Sequence, residues 1–125
     1  MKTKTVLVVE DERSGNFTLA LVLRKAGHKV LQAYDGQEAW EALELARRKG
    51  RRIDLVVTDL LMPRMSGLDL VERLAASPER VPAVVISGYA DAEAEAAARR
   101  AGCALLEKPF TAETLLQAVN LALEE

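Results

Sequence analysis

The chain has 125 residues, enough for one domain with a sizeable core and too few for two. Its 17 basic and 19 acidic residues leave a formal charge of −2, which excludes the strongly basic balance of a protein that coats nucleic acid or anionic membrane. Half of the residues are hydrophobic and 4% are aromatic, the composition of an aliphatic globular core rather than of a disordered segment or a base-stacking surface.

In chain order, the first apolar run, Val6 to Val9, predicts a strand. Lys2 and Lys4 before it invite a signal-peptide reading, but the run stops at Glu10, short of the roughly 7 to 15 apolar residues that reading needs. Leu19, Val22, Leu23 and Ala26 follow the i, i+3, i+4, i+7 spacing of one helix face, with Ser14 as the expected N-cap and Gly27 as the stop. His28, after that glycine, reads as a surface turn residue, and Val30-Leu31 as a weaker strand. Ala39, Ala42, Leu43 and Ala46 predict a second helix, with Trp40 packed on its surface and Gly50 beyond its end. Leu55 to Val57 predicts a third strand. A third helix is expected at about Gly67 to Ala76, where Leu70 pairs with Leu74. Ala83 to Ile86 predicts the fourth strand, and the alanine-rich stretch Asp91 to Ala101 the fourth helix, whose few large side chains imply weak anchoring. Ala104 to Leu106 predicts the fifth strand. Leu115, Ala118, Val119 and Ala122 mark the fifth helix, with Thr111 as its N-cap. Pro63, Pro78, Pro82 and Pro109 fall between elements.

Five strand-helix units of this kind describe a doubly wound α/β sandwich, since parallel strands need crossover connections and continuous apolar runs imply strands covered on both faces. The lone Cys103 excludes an internal disulfide and reads as a small buried apolar residue. No stretch approaches the roughly 18 apolar residues of a membrane span, so a cytoplasmic protein without membrane insertion is expected.

Ligands in such sheets bind beyond the carboxyl ends of the strands. The residues there are Glu10-Asp11, Asp59, Ser87 and Lys108. Taken singly, an acidic residue after a strand is a solvated loop residue or a cap. Together, three carboxylates require a compensating cation, and with Lys108 they leave a formal −2 that one hard divalent ion, Mg2+ above all, would cancel. Phosphoryl chemistry fits this set: Asp59, after the central run, is the natural nucleophile for an acyl phosphate, with Lys108 and Ser87 as donors to its oxygens.

The segments Val8-Val9-Glu10-Asp11-Glu12, Asp59-Leu60-Leu61-Met62-Pro63-Arg64-Met65-Ser66-Gly67, Ile86-Ser87-Gly88-Tyr89 and Glu107-Lys108-Pro109-Phe110 resemble, in order and spacing, the signatures of the receiver domain of two-component response regulators. The stretches Ala26 to Val30 and Ala33 to Ala39 are similar to it as well, so the likeness runs the length of the chain. It implies a flavodoxin-like fold of strand order 2-1-3-4-5 with five helices, forming one receiver domain over residues 1–125 with no output domain. The implied activity is that of a phosphorelay switch rather than a conventional enzyme: Asp59 receives phosphate from a sensor histidine kinase or a phosphotransfer protein. Mg2+, with Mn2+ as a substitute, would be bound by Asp11, Asp59 and the backbone carbonyl of Leu61, with Glu10 acting mostly through water. Ser87 would hydrogen-bond the phosphoryl group, Lys108 would pair with it, and the Lys108-Pro109 bond would be cis. The signal would reach a downstream protein, which the sequence does not identify, through the face made by the fourth helix, fifth strand and fifth helix, a face that would also support a homodimer.

Three positions depart from the family's common pattern. Three residues before the lysine the family usually carries Tyr or Phe and this chain has Leu105, so coupling from Ser87 is expected to run through aliphatic repacking. Leu61 and Tyr89 stand where polar side chains help to position the hydrolytic water, so a long-lived acyl phosphate is expected. Arg47, Arg48, Lys49, Arg51 and Arg52 form the one basic cluster. They fall at the C-terminus of the second helix, where cations favour the macrodipole, and no interleaved aromatics support base stacking, so no direct nucleic-acid contact is expected. Three other readings compete. A Toprim-like phosphotransfer module would need a second Asp where Leu61 stands. A haloacid-dehalogenase-like phosphatase would need Asp-x-Asp after the first strand. A pseudo-receiver that takes no phosphate sits poorly with intact Asp11, Asp59, Ser87 and Lys108.

Overall fold

Residues 3–60, 66–78, 80–88 and 92–124 are described by the structure, a computed structural model. The elements run β1 Thr5–Val9, α1 Arg13–Lys25, β2 Lys29–Ala33, α2 Gly36–Arg48, β3 Leu55–Asp59, α3 Gly67–Ala76, β4 Ala83–Ser87, α4 Ala92–Arg100, β5 Ala104–Glu107 and α5 Ala112–Leu123. Five parallel strands form one sheet in the order β2-β1-β3-β4-β5. The fold is therefore the expected flavodoxin-like α/β architecture, with the chain reversing its direction of travel at β1 and β3.

The period of two along each strand divides the apolar residues between two cores. Leu7, Val9, Val56 and Val85 pack with Ala39 of α2 and with Leu70, Val71 and Leu74 of α3. Val6, Val8, Leu55, Val57, Val84 and Ile86 pack on the other face with Leu19 and Leu23 of α1 and Leu115 and Val119 of α5. The central strands β1, β3 and β4 are covered on both faces, which is why they read as unbroken apolar runs. The fifth run is different. As an edge strand β5 leaves Ala104 and Glu107 exposed and Leu105 and Leu106 half-buried, so it is not enclosed on both faces. The alanine-rich α4 buries only small side chains, Ala97 and Ala98, among its described residues. Its expected first residue, Asp91, lies outside the described residues.

Local chemistry sets the element boundaries. Asp35 caps α2 by accepting the Glu38 amide, while the Glu38 carboxylate accepts the Tyr34 amide, and Thr111 caps α5 by accepting the Thr114 amide. Gly27, at φ +98°, adopts the left-handed conformation that ends α1, as Gly102 does after α4 at φ +73°. Two sequence expectations are corrected. Ser14 is not the N-cap of α1: the helix starts at Arg13, two residues earlier than a Ser14 cap would place it, Glu12 is its N-cap without a side-chain cap bond, and Ser14 uses its carbonyl inside the helix to accept the Thr18 hydroxyl. His28 is not a surface residue. The chain turns back at Gly27 to start β2, and this leaves the imidazole buried, with Nδ1 lacking a hydrogen-bond partner among the described residues. Cys103 is only half-buried. No helix among the described residues is long and apolar enough to cross a membrane.

Gly67, the first residue of α3, packs directly beneath the end of β3. Its amide donates to the Leu60 carbonyl, and a Cβ there would collide with the Asp59 carbonyl oxygen and come within 2.9 Å of the Leu60 Cα. Both obstacles are backbone and cannot rotate away. Gly67→Ala is expected to cost about 3 kcal/mol in urea unfolding, and Gly102→Ala, which meets open space at positive φ, about 1 kcal/mol. Equal losses for the two would contradict this packing.

Candidate functional site

The carboxyl ends of β1, β3, β4 and β5 meet at one edge, and the register explains how. Asp59 pairs with Ile86 and Ser87 with Glu107, so Asp59 lies one residue short of Ser87 in register, beside its strand neighbour Ile86. Backbone bonds extend the alignment past the strands: the Leu60 amide donates to the Ile86 carbonyl and the Lys108 amide to the Ser87 carbonyl, each at 2.8 Å. Lys108 is thereby delivered over the sheet edge, followed by a cis bond to Pro109.

The ammonium of Lys108 donates to Asp59 Oδ2 at 2.8 Å and to Glu10 Oε1 at 3.3 Å. One cation thus bridges carboxylates from two strands, both nearly withdrawn from water: Glu10 is 3% exposed and Asp59 9%. The other Glu10 oxygen, Oε2, accepts the Glu12 amide at 2.9 Å. Ser87 is buried at the end of β4, and Asp11 is exposed at the same edge. Burial raises the Glu10 pKa to about 7. The neighbouring Asp59 carboxylate pushes the same way, and the Glu12 amide and Lys108 only partly offset the two. Burial alone would pull Lys108 down, but Asp59 and Glu10 outweigh it and raise its pKa.

The sequence-predicted residues Glu10, Asp11, Asp59, Ser87 and Lys108 therefore converge on one edge. Leu105, in β5, is half-buried and packs against the core of α2 and α3, with Ala101 and Cys103. Leu61 and Tyr89 lie outside the described residues. Among the described residues no group of three or more His, Cys, Asp and Glu side chains is drawn into a ready metal cage. Lys108 itself stands between two of the three carboxylates.

One contributor was not singled out from the sequence. Asn16 of α1 is fully buried, and its amide donates to the Glu10 carbonyl at 3.0 Å and the Ala33 carbonyl at 2.9 Å while its oxygen accepts from Gln32 at 2.7 Å. It ties the exits of β1 and β2 to α1. Its position extends the stripe of Leu19 and Leu23 by one helical turn, so a polar residue on an apolar stripe was the available signal.

The response regulator receiver domain profile matches residues 6–120, and the chain belongs to that family. It is 38% identical over 121 residues to the transcriptional regulatory protein PdtaR of Mycobacterium tuberculosis, covering 95% of this chain and 56% of that protein. It is 34% identical over 125 residues to the transcriptional regulatory protein FixJ of Rhizobium meliloti, covering 99% and 59%. The chain thus spans a little over half the length of these relatives. A crystal structure of a response regulator from Chloroflexus aurantiacus superposes with a TM-score of 0.87 at 30% identity, covering 99% of this chain and all of that one. Receiver domains are signalling modules of two-component systems rather than conventional enzymes. As a family they interact with histidine kinases or phosphotransfer proteins, undergo phosphorylation, and bind Mg2+ at an acidic pocket.

The raised pKa of Glu10 gives a signed expectation for stability. A carboxyl whose folded pKa lies above its unfolded value stabilises the fold when protonated, and that contribution is lost as pH rises from about 4.5 to about 7. In chelator-containing buffer, Glu10→Gln is expected to remove this loss, gaining about 2 kcal/mol on the wild type between pH 5 and pH 8. Parallel stability curves for the two proteins over that interval would contradict it.

Proposed function

We propose that the chain accepts a phosphoryl group on Asp59 from a sensor histidine kinase or phosphotransfer protein in the cytoplasm, with Mg2+ or Mn2+ bound, and signals through α4, β5 and α5. The observation that carries this reading is the 2.8 Å contact of the Lys108 ammonium with Asp59 Oδ2 inside a pocket of converging strand ends. It leaves one face of a buried carboxylate committed to a cation.

The chemistry follows from the placement. An Asp59 carboxylate oxygen forms the new P–O bond as the donor's P–N bond breaks, and the imidazole nitrogen of the donor leaves with the electron pair. Lys108, with its raised pKa, stays protonated through the transfer and pairs with the phosphoryl oxygens. The Ser87 hydroxyl, at the end of the neighbouring strand, supplies a further donor. The oxygen-only donor set fits a hard divalent ion: Asp11, Asp59 and the Leu61 carbonyl would hold it, with Glu10 mostly through water. When bound, the ion offsets negative charge on the transferring group.

Phosphorylation would redirect Lys108 from the carboxylates to the phosphoryl oxygens and draw the Ser87 hydroxyl to them as well. Both side chains adjoin β5, Lys108 by chain and Ser87 by pairing with Glu107. Leu105, lodged between that strand and the α2–α3 core, would carry the change by repacking. With Leu61 and Tyr89 at the sequence positions where polar side chains would help to place the hydrolytic water, the acyl phosphate would be long-lived. The names of two relatives, both transcriptional regulatory proteins, support gene regulation as the purpose of the signal.

Intact-mass spectrometry after incubation with acetyl phosphate and Mg2+ is expected to show a single phosphoryl adduct, absent with Asp59→Asn and absent with chelator. Folded, Mg2+-competent protein that takes no adduct would sink the reading. In the phosphorylated protein the backbone chemical shifts of Leu105, Leu106 and the α5 face are expected to move; unchanged shifts would separate phosphorylation from switching on that face.

A further inference from the structure

We propose that a cavity at the opposite end of the sheet from Asp59 is a second ligand site, built for a small organic anion that carries a planar heteroaromatic ring, as nucleotides do. The cavity, about 660 Å3, opens between α2 and α3 where the chain enters β3 and β4. That volume lies within the roughly 300–1,000 Å3 of sites for small molecules. Its floor is apolar, made by Leu43, Ile53, Leu74 and Val81. One wall is Trp40, with the guanidinium carbon of Arg73 5.5 Å from the ring centroid, and Arg47, Arg51 and Arg52 are also part of the lining.

In the sequence the basic cluster has no aromatic residue interleaved with it. The fold supplies one. Trp40 and Arg47 are seven residues apart on α2, two turns on the same face, and α3 adds Arg73 from the other side. The charges are also unequally spent. Arg52 is paired with Asp54, Nε to Oδ1 at 3.2 Å, and the other Asp54 oxygen accepts the Thr5 amide. Among the described residues Arg47 and Arg51 form no ion pair and no side-chain hydrogen bond, and Glu44 is the one further acid on the lining. An excess of guanidinium charge over an apolar floor asks for an anion with an apolar body. A bare inorganic anion would leave the floor uncovered, whereas a ring can lie along Trp40 and the planar Arg73 while its phosphates meet Arg47 and Arg51. The formal charge of −2 disfavours a long polyanion, and the concave shape suits a single nucleotide. This site lies about 20 Å along β3 from the acceptor and does not depend on the phosphoryl-transfer reading.

Trp40 is the sole tryptophan, so its emission reports on this cavity directly. Titration of the intact chain with ADP is expected to give a saturable change in Trp40 fluorescence, weakened by added salt. The change is expected to be at least about tenfold weaker in affinity with Arg47→Ala combined with Arg51→Ala, while that variant still takes its phosphoryl adduct at Asp59. Movement of the Ile53 and Ser77 amide resonances would place the ligand independently. The inference is overturned by no saturable change up to millimolar ADP, by equal affinity in the double variant, or by inorganic phosphate binding as well as ADP. Binding of a single-stranded oligonucleotide without binding of ADP would also overturn it, in favour of an open nucleic-acid surface.

Discussion

Two carboxylates withdrawn from water beside one another are the constraint around which this molecule is arranged. Each loses hydration on burial and each repels the other, and one ammonium from a distant segment holds them together. Lys108 cannot satisfy both fully: it lies closer to Asp59 than to Glu10, and burial, aided by the Asp59 charge, raises the Glu10 pKa to about 7 against its pull. The edge is therefore under-supplied with positive charge. That deficit is what makes a divalent cation and a mobile lysine physically sensible companions at this place.

The sheet provides the precision. Its central strands are enclosed on both faces, so their ends cannot drift, and the β3–β4–β5 register carries Asp59, Ser87 and Lys108 to one line. Asn16 fixes the remaining side, joining the exits of β1 and β2 to α1 with three hydrogen bonds in a dry environment. Gly67 lets α3 start against the backbone of Asp59 itself. Close backbone packing and buried hydrogen bonds gather around Asp59 and Glu10, whereas the edge strand β5 and the alanine-rich α4 have smaller anchors. A structure built this way holds a buried carboxylate steady between enclosed strands and leaves one flank less firmly anchored.

Much of this was legible in the sequence. Parallel strands covered on both faces appear as unbroken apolar runs, and the topology makes the residue at the end of each run a candidate for chemistry, which is how Glu10, Asp59, Ser87 and Lys108 could be grouped before any coordinates. What stayed hidden has physical causes. The burial of His28 depends on how the chain folds back after Gly27, and no periodicity records that. The partial exposure of β5 follows from its place at the edge of the sheet, which its apolar run does not encode. The N-terminus of α1 was misjudged because Ser14 has the chemistry of a cap but sits inside the first turn. Trp40 and the arginines of the basic run are neighbours only through helical geometry, and Arg73 joins them only through the packing of α2 on α3.

The Lys108–Glu10 contact joins residues 98 positions apart, close to the two ends of the chain. The strand order places β1 and β3 in the interior of the sheet and β5 at its rim, so the acidic pair stands on interior strands and its cation is delivered from the edge. A chain emerging from the ribosome, or one cut before β5, carries the candidate acceptor but lacks the charge that completes its surroundings. Without the last strand the two buried carboxylates would lie beside one another with no ammonium between them, so even the partial charge compensation of this edge exists only when β5 is paired.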